Sequence, residues 1–109
     1  METGRILAII LNYRTPDMSL RAAEAALSEM AELDGEVLLI DNGSADGSWE
    51  ALQAGAEQRG WQHNPKIRLL RSMVNGGFGA GMNIGFAQTL SDGTRPDYYY
   101  LLNSDAFVQ

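Results

Sequence analysis

The chain contains no cysteine. Disulfides, a thiolate metal site and a thiol nucleophile are excluded together. It has a single histidine, His63, in the polar stretch "GWQHNPK", where a solvated loop residue is expected. Cationic residues are scarce: eight Lys and Arg stand against fourteen Asp and Glu, for a net charge of -6. Binding a nucleic-acid backbone needs clustered Lys and Arg, so nucleic acid is not an expected partner. A phosphate ligand survives this argument, because backbone N–H groups or a divalent cation can carry phosphate. Long apolar runs are missing too, and none approaches the roughly 18 residues of a membrane span. The opening "METGRILAIILNYR" lacks a basic leader and a small-residue cleavage site, so it makes a poor signal peptide. It reads better as a buried strand.

What is present is an alternation of two kinds of apolar segment. "RILAIILN" (5–12) is short and continuous, like a strand buried on both faces, "EVLLID" (36–41) reads as a second buried strand, and "KIRLLRS" (66–72) and "DYYYLLN" (97–103) read as a third and a fourth strand. "SLRAAEAALSEMAEL" (19–33) is long and periodic, with Leu20, Ala23, Leu27 and Met30 on one stripe. Thr15 or Asp17 is its expected cap, with Pro16 nearby. "SWEALQAGAEQRG" (48–60) predicts a second helix, capped by Asp46 or Ser48 and stopped by Gly60. A third is expected within the glycine-loaded "GFGAGMNIGFAQTL" (77–90), where Met82, Phe86 and Leu90 fall in line. The order βαβαβαβ predicts one α/β domain over residues 1–109, a parallel Rossmann-like sheet with helices on both faces. Ligands in such sheets lie outside the C-terminal ends of the strands. The four segments "NYRTPD", "DNGSADGS", "SMVNGGFG" and "NSD" are therefore expected to meet at one edge.

Asp41 ends the second strand. It either begins an Asx-type turn or presents a carboxylate to a ligand. An ionised carboxylate only accepts hydrogen bonds. Uracil and thymine offer a ring N3–H, whereas cytosine offers a lone pair there, so a ligand-facing Asp41 selects uridine- or thymidine-type nucleotides. The segment "NGGFGAGMNIG" (75–85) fails both the G-x-G-x-x-G and the P-loop templates. Its glycines serve either a tight turn or a close approach to a nucleotide, with Asn75 and Asn83 as neutral donors and acceptors. Asn103 and Asp105 straddle Ser104, and an extended segment points both the same way. Two oxygen-bearing groups in that arrangement suit Mg²⁺ or Mn²⁺ on a diphosphate. Tyr13, within Asn12-Tyr13-Arg14, is either a stacking platform for a base or a packing aromatic. Trp49 and Trp61 are expected to pack.

Taken together, "LAIILNYR", "VLLIDNGSADGS", "VNGGFGAGMNIGF" and "YYYLLNSDAFV" resemble the nucleotide-binding half of a family 2 glycosyltransferase of the GT-A fold. The rhamnosyltransferase-like branch is the nearest likeness. It covers essentially the whole chain, with four motifs in the right order. The resemblance implies that Asp41 holds a pyrimidine base, with Asn12, Tyr13 and Asn42 around it. It implies that Asn75, Gly77, Gly79 and Asn83 line the nucleotide pocket, and that Asn103 and Asp105 hold a divalent cation, Mg²⁺ or Mn²⁺. Two positions depart from the family pattern. Asn103 stands where the metal motif usually begins with Asp, and Met82 stands where many relatives carry Arg.

The implied activity is inverting, metal-dependent transfer of a sugar from a dTDP- or UDP-sugar to a glycan acceptor. The acceptor-binding half and the general base are expected beyond Gln109, leaving a truncated GT-A fold that is inactive alone. An uncovered sheet edge is then expected to favour self-association. The implied location is cytoplasmic, peripheral to the inner face of the membrane in the full-length protein. Two other readings stay open: a non-catalytic nucleotide-binding α/β module, and a sugar-1-phosphate nucleotidyltransferase. The latter wants a glycine-rich loop after the first strand, which "NYRTPD" does not supply.

Overall fold

The computed structural model describes residues 4–12, 15–42, 47–72 and 88–103. In chain order they form β1 (Ile6–Asn12), α1 (Pro16–Met30), β2 (Gly35–Asn42), α2 (Ser48–Gln58), a 3-10 turn at Trp61–His63, β3 (Ile67–Ser72) and β4 (Tyr98–Asn103). The strands make one parallel sheet in the order β3-β2-β1-β4. This is the Rossmann-like α/β sheet that the alternation of segments predicts.

The continuous apolar runs of β1 and β2 are explained by burial on both faces. Successive side chains of a strand point to opposite sides. Leu7, Ile9 and Leu11 of β1 join Leu38, Ile40 and Leu90 in one buried cluster. Ala8 and Ile10 join Val37, Leu39 and the apolar faces of α1 and α2 in the other. Each fully buried Leu or Ile contributes about 1.5–3 kcal/mol of transfer free energy.

Handedness decides which face each crossover uses. From β1 to β2 to β3 the chain steps one way across the sheet, so right-handed crossovers put α1 and α2 on the same face. From β3 to β4 the chain steps back past β2 and β1, and a right-handed crossover in that direction uses the opposite face. Leu90 lies there, packed among Leu7, Ile9 and Leu38. The helix expected over 77–90 falls outside the described residues as far as 87, and residues 88–90 are not helical.

α1 begins earlier than its apolar stripe suggests, with Pro16 at its start. A proline costs nothing there, since the first helical N–H groups have no intrahelical partner. The buried side of α1 is made of Ser19, Leu20, Ala22, Ala23, Ala26 and Met30. Small residues let the helices approach closely. A Cβ on Gly55 of α2 would collide with the Leu20 side chain. α2 is preceded by Gly47 at φ 90°, a left-handed conformation that favours glycine. Asp46, one of its expected caps, lies outside the described residues. Trp61 is buried and Trp49 packs against the same cluster, as expected of packing aromatics.

Polar clamps tie the long connections down. Ser91 donates to Glu36 from its backbone N–H at 2.9 Å and from its hydroxyl at 2.8 Å. Arg68 stands 3.7 Å from the same carboxylate and donates to the Thr89 carbonyl. At the N-terminal end of the sheet, the Arg5 guanidinium reaches Asp92 at 2.7 Å, Thr94 Oγ1 at 2.8 Å and Asp34 at 3.2 Å. The Arg5 backbone N–H donates to Asp97 at 2.8 Å. The Thr94 hydroxyl and backbone N–H, with Arg5, hold the Asp92 carboxyl well below the usual carboxylate range.

Candidate functional site

With the order β3-β2-β1-β4, the direction of strand addition switches between β1 and β4, and Leu90, just before β4, packs on the face opposite α1 and α2. In open parallel sheets the ligand crevice lies at such a switch, outside the C-terminal ends of the strands. The residues at those ends follow from alternation. Ala8 and Ile10 face the helices, so Asn12 continues that face. Val37 and Leu39 lead to Asp41 in the same way, and Leu69 leads to Arg71. Register places Asn12 beside Asp41 and Asp41 beside Arg71. The three form one row across three neighbouring strands.

Ser19, in the first turns of α1, closes over this row. Its hydroxyl donates to Asn12 Oδ1 at 2.7 Å, and Asn12 Nδ2 donates to Asp41 Oδ1 at 3.0 Å. Ser19, Asn12 and Asp41 all have 0% exposure. The second Asp41 oxygen, Oδ2, is buried and has no hydrogen-bond partner among the described residues. Arg71 Nε stands 4.0 Å from it, too long for a hydrogen bond but close enough for charge compensation. The Arg71 guanidinium also lies over the Trp49 ring, 5.9 Å from its centroid. Leaving a buried acceptor unpaired costs about 1–3 kcal/mol, more for a charged group. Such an atom in a native fold calls for an explanation, and an incoming N–H or O–H donor is the simplest.

Of the sequence-predicted residues, Asn12 and Asp41 are brought into direct contact. Asn42 is the last residue of β2, in register with Ser72. Asn103 is the last residue of β4, in register with Leu11 and so next to the Asn12 end of β1. Tyr13, Asn75, Gly77, Gly79, Asn83 and Asp105 lie outside the described residues. No group of three or more His, Asp or Glu able to hold a metal ion occurs among the described residues. Ser19 and Arg71 were missed by sequence reasoning. The signal for Ser19 was a hydroxyl at the head of an otherwise apolar helix stripe. For Arg71 it was a charge two residues beyond Leu69, on the same strand face.

A groove of about 410 Å³ between α2 and β3 is lined by Trp49, Trp61, Ile67 and Leu69. It reaches the sheet at residues 67–69 rather than at the strand ends. The buried polar row makes the C-terminal edge the stronger candidate.

A family model described as "Glycosyl transferase family 2" matches residues 8–109. Among curated proteins, none matches the chain. Among solved structures, the chain resembles the mannosyltransferase PcManGT from Pyrobaculum calidifontis, in complex with GDP-Man and Mn²⁺. The TM-score is 0.64 at 19% sequence identity, over 96% of this chain and 28% of that one. At that identity the likeness establishes the shared GT-A-type fold.

Proposed function

Because the chain belongs to glycosyl transferase family 2, we propose that it holds the nucleotide-sugar donor of a transferase, with Asp41 reading a uracil or thymine base. The observation that carries this reading is the buried Asp41 Oδ2, which has no hydrogen-bond partner among the described residues. Uracil and thymine bring an N3–H to such an oxygen. Cytosine brings a lone pair, and two acceptors facing each other away from water repel. Asn42 and Tyr13 flank the base in this proposal. Asn75, Gly77, Gly79 and Asn83 line the rest of the nucleotide.

Asn103 and Asp105 are proposed to hold Mg²⁺ or Mn²⁺. Their donor set, one amide and one carboxylate oxygen, suits a hard cation that takes most of its hold from phosphates. The register supports this by ending β4 beside β1 at the edge that carries Asp41. When bound, such a cation supplies Lewis-acid stabilisation of the leaving diphosphate. The chain's own residues bind and orient: Asp41 sets the position of the base, and the end of β4 sets the diphosphate beside it.

The donor is proposed to be a UDP- or dTDP-sugar in a rhamnosyltransferase-like, inverting reaction with a glycan acceptor. The general base is proposed to lie outside these 109 residues, so that the chain alone transfers no sugar. The exposed Tyr98, Tyr100 and Leu101 on β4 support self-association through that strand. A cytoplasmic location, peripheral to the inner face of the membrane in the full-length protein, completes the proposal.

Calorimetry with UDP, dTDP, CDP and GDP tests the base assignment. UDP and dTDP are expected to bind, and CDP to bind at least about tenfold more weakly, as for the loss of a hydrogen bond to a charged group. Equal affinity for CDP and UDP would refute it. GDP is the instructive rival, since guanine also carries a ring N–H and the mannosyltransferase neighbour was captured with GDP-Man. Tighter binding of GDP than of UDP would move the assignment to guanine.

A further inference from the structure

We infer that Ser19 is a positioning residue which, acting through Asn12, fixes which oxygen of Asp41 is offered to a ligand. The inference rests on the reading of Asp41 as the base-contacting group. It follows from a chain of polarities in which each link forces the next. A carboxylate oxygen accepts, so the Asn12 amide must turn its NH₂ toward Asp41 Oδ1, which is the observed 3.0 Å contact. The reversed amide would set two oxygens against each other. With the NH₂ so placed, Asn12 Oδ1 faces Ser19 Oγ at 2.7 Å, and the serine proton is committed to it. None of the three residues is exposed, so bulk water cannot substitute for any partner. The relay ends by occupying Oδ1, while Oδ2 has no hydrogen-bond partner among the described residues.

Two consequences follow. Asn12 has its carbonyl on Ser19 and its amide on Asp41, so it is a link in the relay rather than a ligand contact. Ser19 also has a reason to stand on a helix face otherwise built of Ala, Leu and Met. A serine inside a helix is less favourable than alanine, and a side chain at zero exposure cannot be there for solubility.

The test is Ser19→Ala, with UDP and CDP affinities measured by calorimetry and competition beside the melting temperature. Without the hydroxyl, the Asn12 NH₂ still faces Asp41, but its carbonyl loses the partner that holds the amide plane, and Asp41 loses its fixed acceptor geometry. UDP affinity is expected to fall about three- to tenfold, the ordinary net worth of a hydrogen bond, while CDP affinity stays the same. The UDP-to-CDP ratio therefore narrows. A purely structural role would lower both affinities together or neither, leaving the ratio unchanged, and that result would overturn the inference. A ratio of one in the unsubstituted chain would instead refute the Asp41 reading itself, so the two failures are distinguishable. Should Ser19→Ala not fold, NMR of the unsubstituted chain decides. The Asn12 side-chain amide protons are expected to exchange slowly, and to remain slow when UDP is added. Exchange at the rate of an exposed asparagine, or release of these protons on UDP binding, would overturn the relay.

Discussion

The two ends of the sheet use the same side-chain chemistry to opposite effect. At the N-terminal end, Arg5 meets Asp92 and Asp34 with side chains that are 32–54% exposed, reaches Thr94 as well, and every carboxylate there has a partner. At the C-terminal end, Ser19, Asn12, Asp41 and Arg71 assemble a similar set of a hydroxyl, a carboxylate and a guanidinium. There the carboxylate is fully buried and one of its oxygens lacks a hydrogen bond among the described residues. A solvated cluster whose carboxylates are all partnered holds loops together, and the buried atom without a hydrogen bond there is a donor, Arg5 Nε, facing Asp34 at 3.2 Å. A buried, incompletely satisfied one has capacity left for a ligand. The difference lies in burial and in one missing donor, not in residue type.

The largest effect should come from inverting that missing donor. Asp41→Asn keeps the shape and lets the new amide oxygen accept from Asn12, so that its NH₂ takes the place of Oδ2. UDP should lose about 1.5–3 kcal/mol of binding free energy. CDP, whose ring nitrogen accepts, should gain until the preference reverses. Competition calorimetry reads this directly, and a retained UDP preference would erase the contrast between the two ends.

Next is Arg71→Ala, which removes the cation beside a buried carboxylate. The pair is partly exposed on the arginine side, so screening discounts its worth to about 1 kcal/mol of fold stability. UDP should restore part of that loss in thermal melts, because its N–H substitutes as a partner for Asp41. Melting curves that ignore UDP would separate Arg71 from the nucleotide.

A Mn²⁺ titration followed by paramagnetic broadening should show weak binding alone and stronger binding with UDP, with both lost in Asp105→Ala. Identical titrations of the two chains would leave Asp105 with no metal role. Arg5→Ala should lower the melting temperature and leave UDP affinity untouched. A changed affinity would mean that the two ends are coupled.

The smallest effect is a pH dependence at the N-terminal end of the sheet. The folded-state value of Asp92 is depressed, chiefly by the Thr94 hydroxyl. Its contribution is therefore fully in place above the ordinary Asp value of roughly 4. It is lost as pH falls through the depressed folded value. Asp92→Asn should be less stable than the parent at neutral pH, and the gap should close only in strong acid. A gap that is constant from neutral pH into strong acid would argue against the clamp.

Much of the fold was legible because local pattern and tertiary need coincide here. "LAIIL" and "VLLI" are continuous because β1 and β2 are covered on both faces, and Ala-rich α1 is small-sided because Gly55 of α2 packs against Leu20. The start of α1 was legible from its cap signals, Thr15 before Pro16, rather than from its apolar stripe, which begins only at Leu20. The 3-10 turn at Trp61–His63 has no periodicity to announce it. In the site, Asn12 and Asp41 were readable as strand-end polar residues. Their contact, and the parts played by Ser19 and Arg71, depend on cross-strand register and on which face the crossover takes. Neither property exists within any one segment.

The position of β4 beside β1 has a consequence for how the chain assembles. Arg5 and Asp97, joined across that seam, are separated by 92 residues. Closing so long a loop is entropically slow compared with pairing β1, β2 and β3, which are sequential neighbours. During synthesis the first three strands and both helices emerge, and can dock, before β4 exists. The β4 side of β1, one of the two inner strands of the sheet, is thus an open edge until β4 emerges. Whatever guards the nascent polypeptide against aggregation must act on "ILAIILN" during that interval, before β4 covers it.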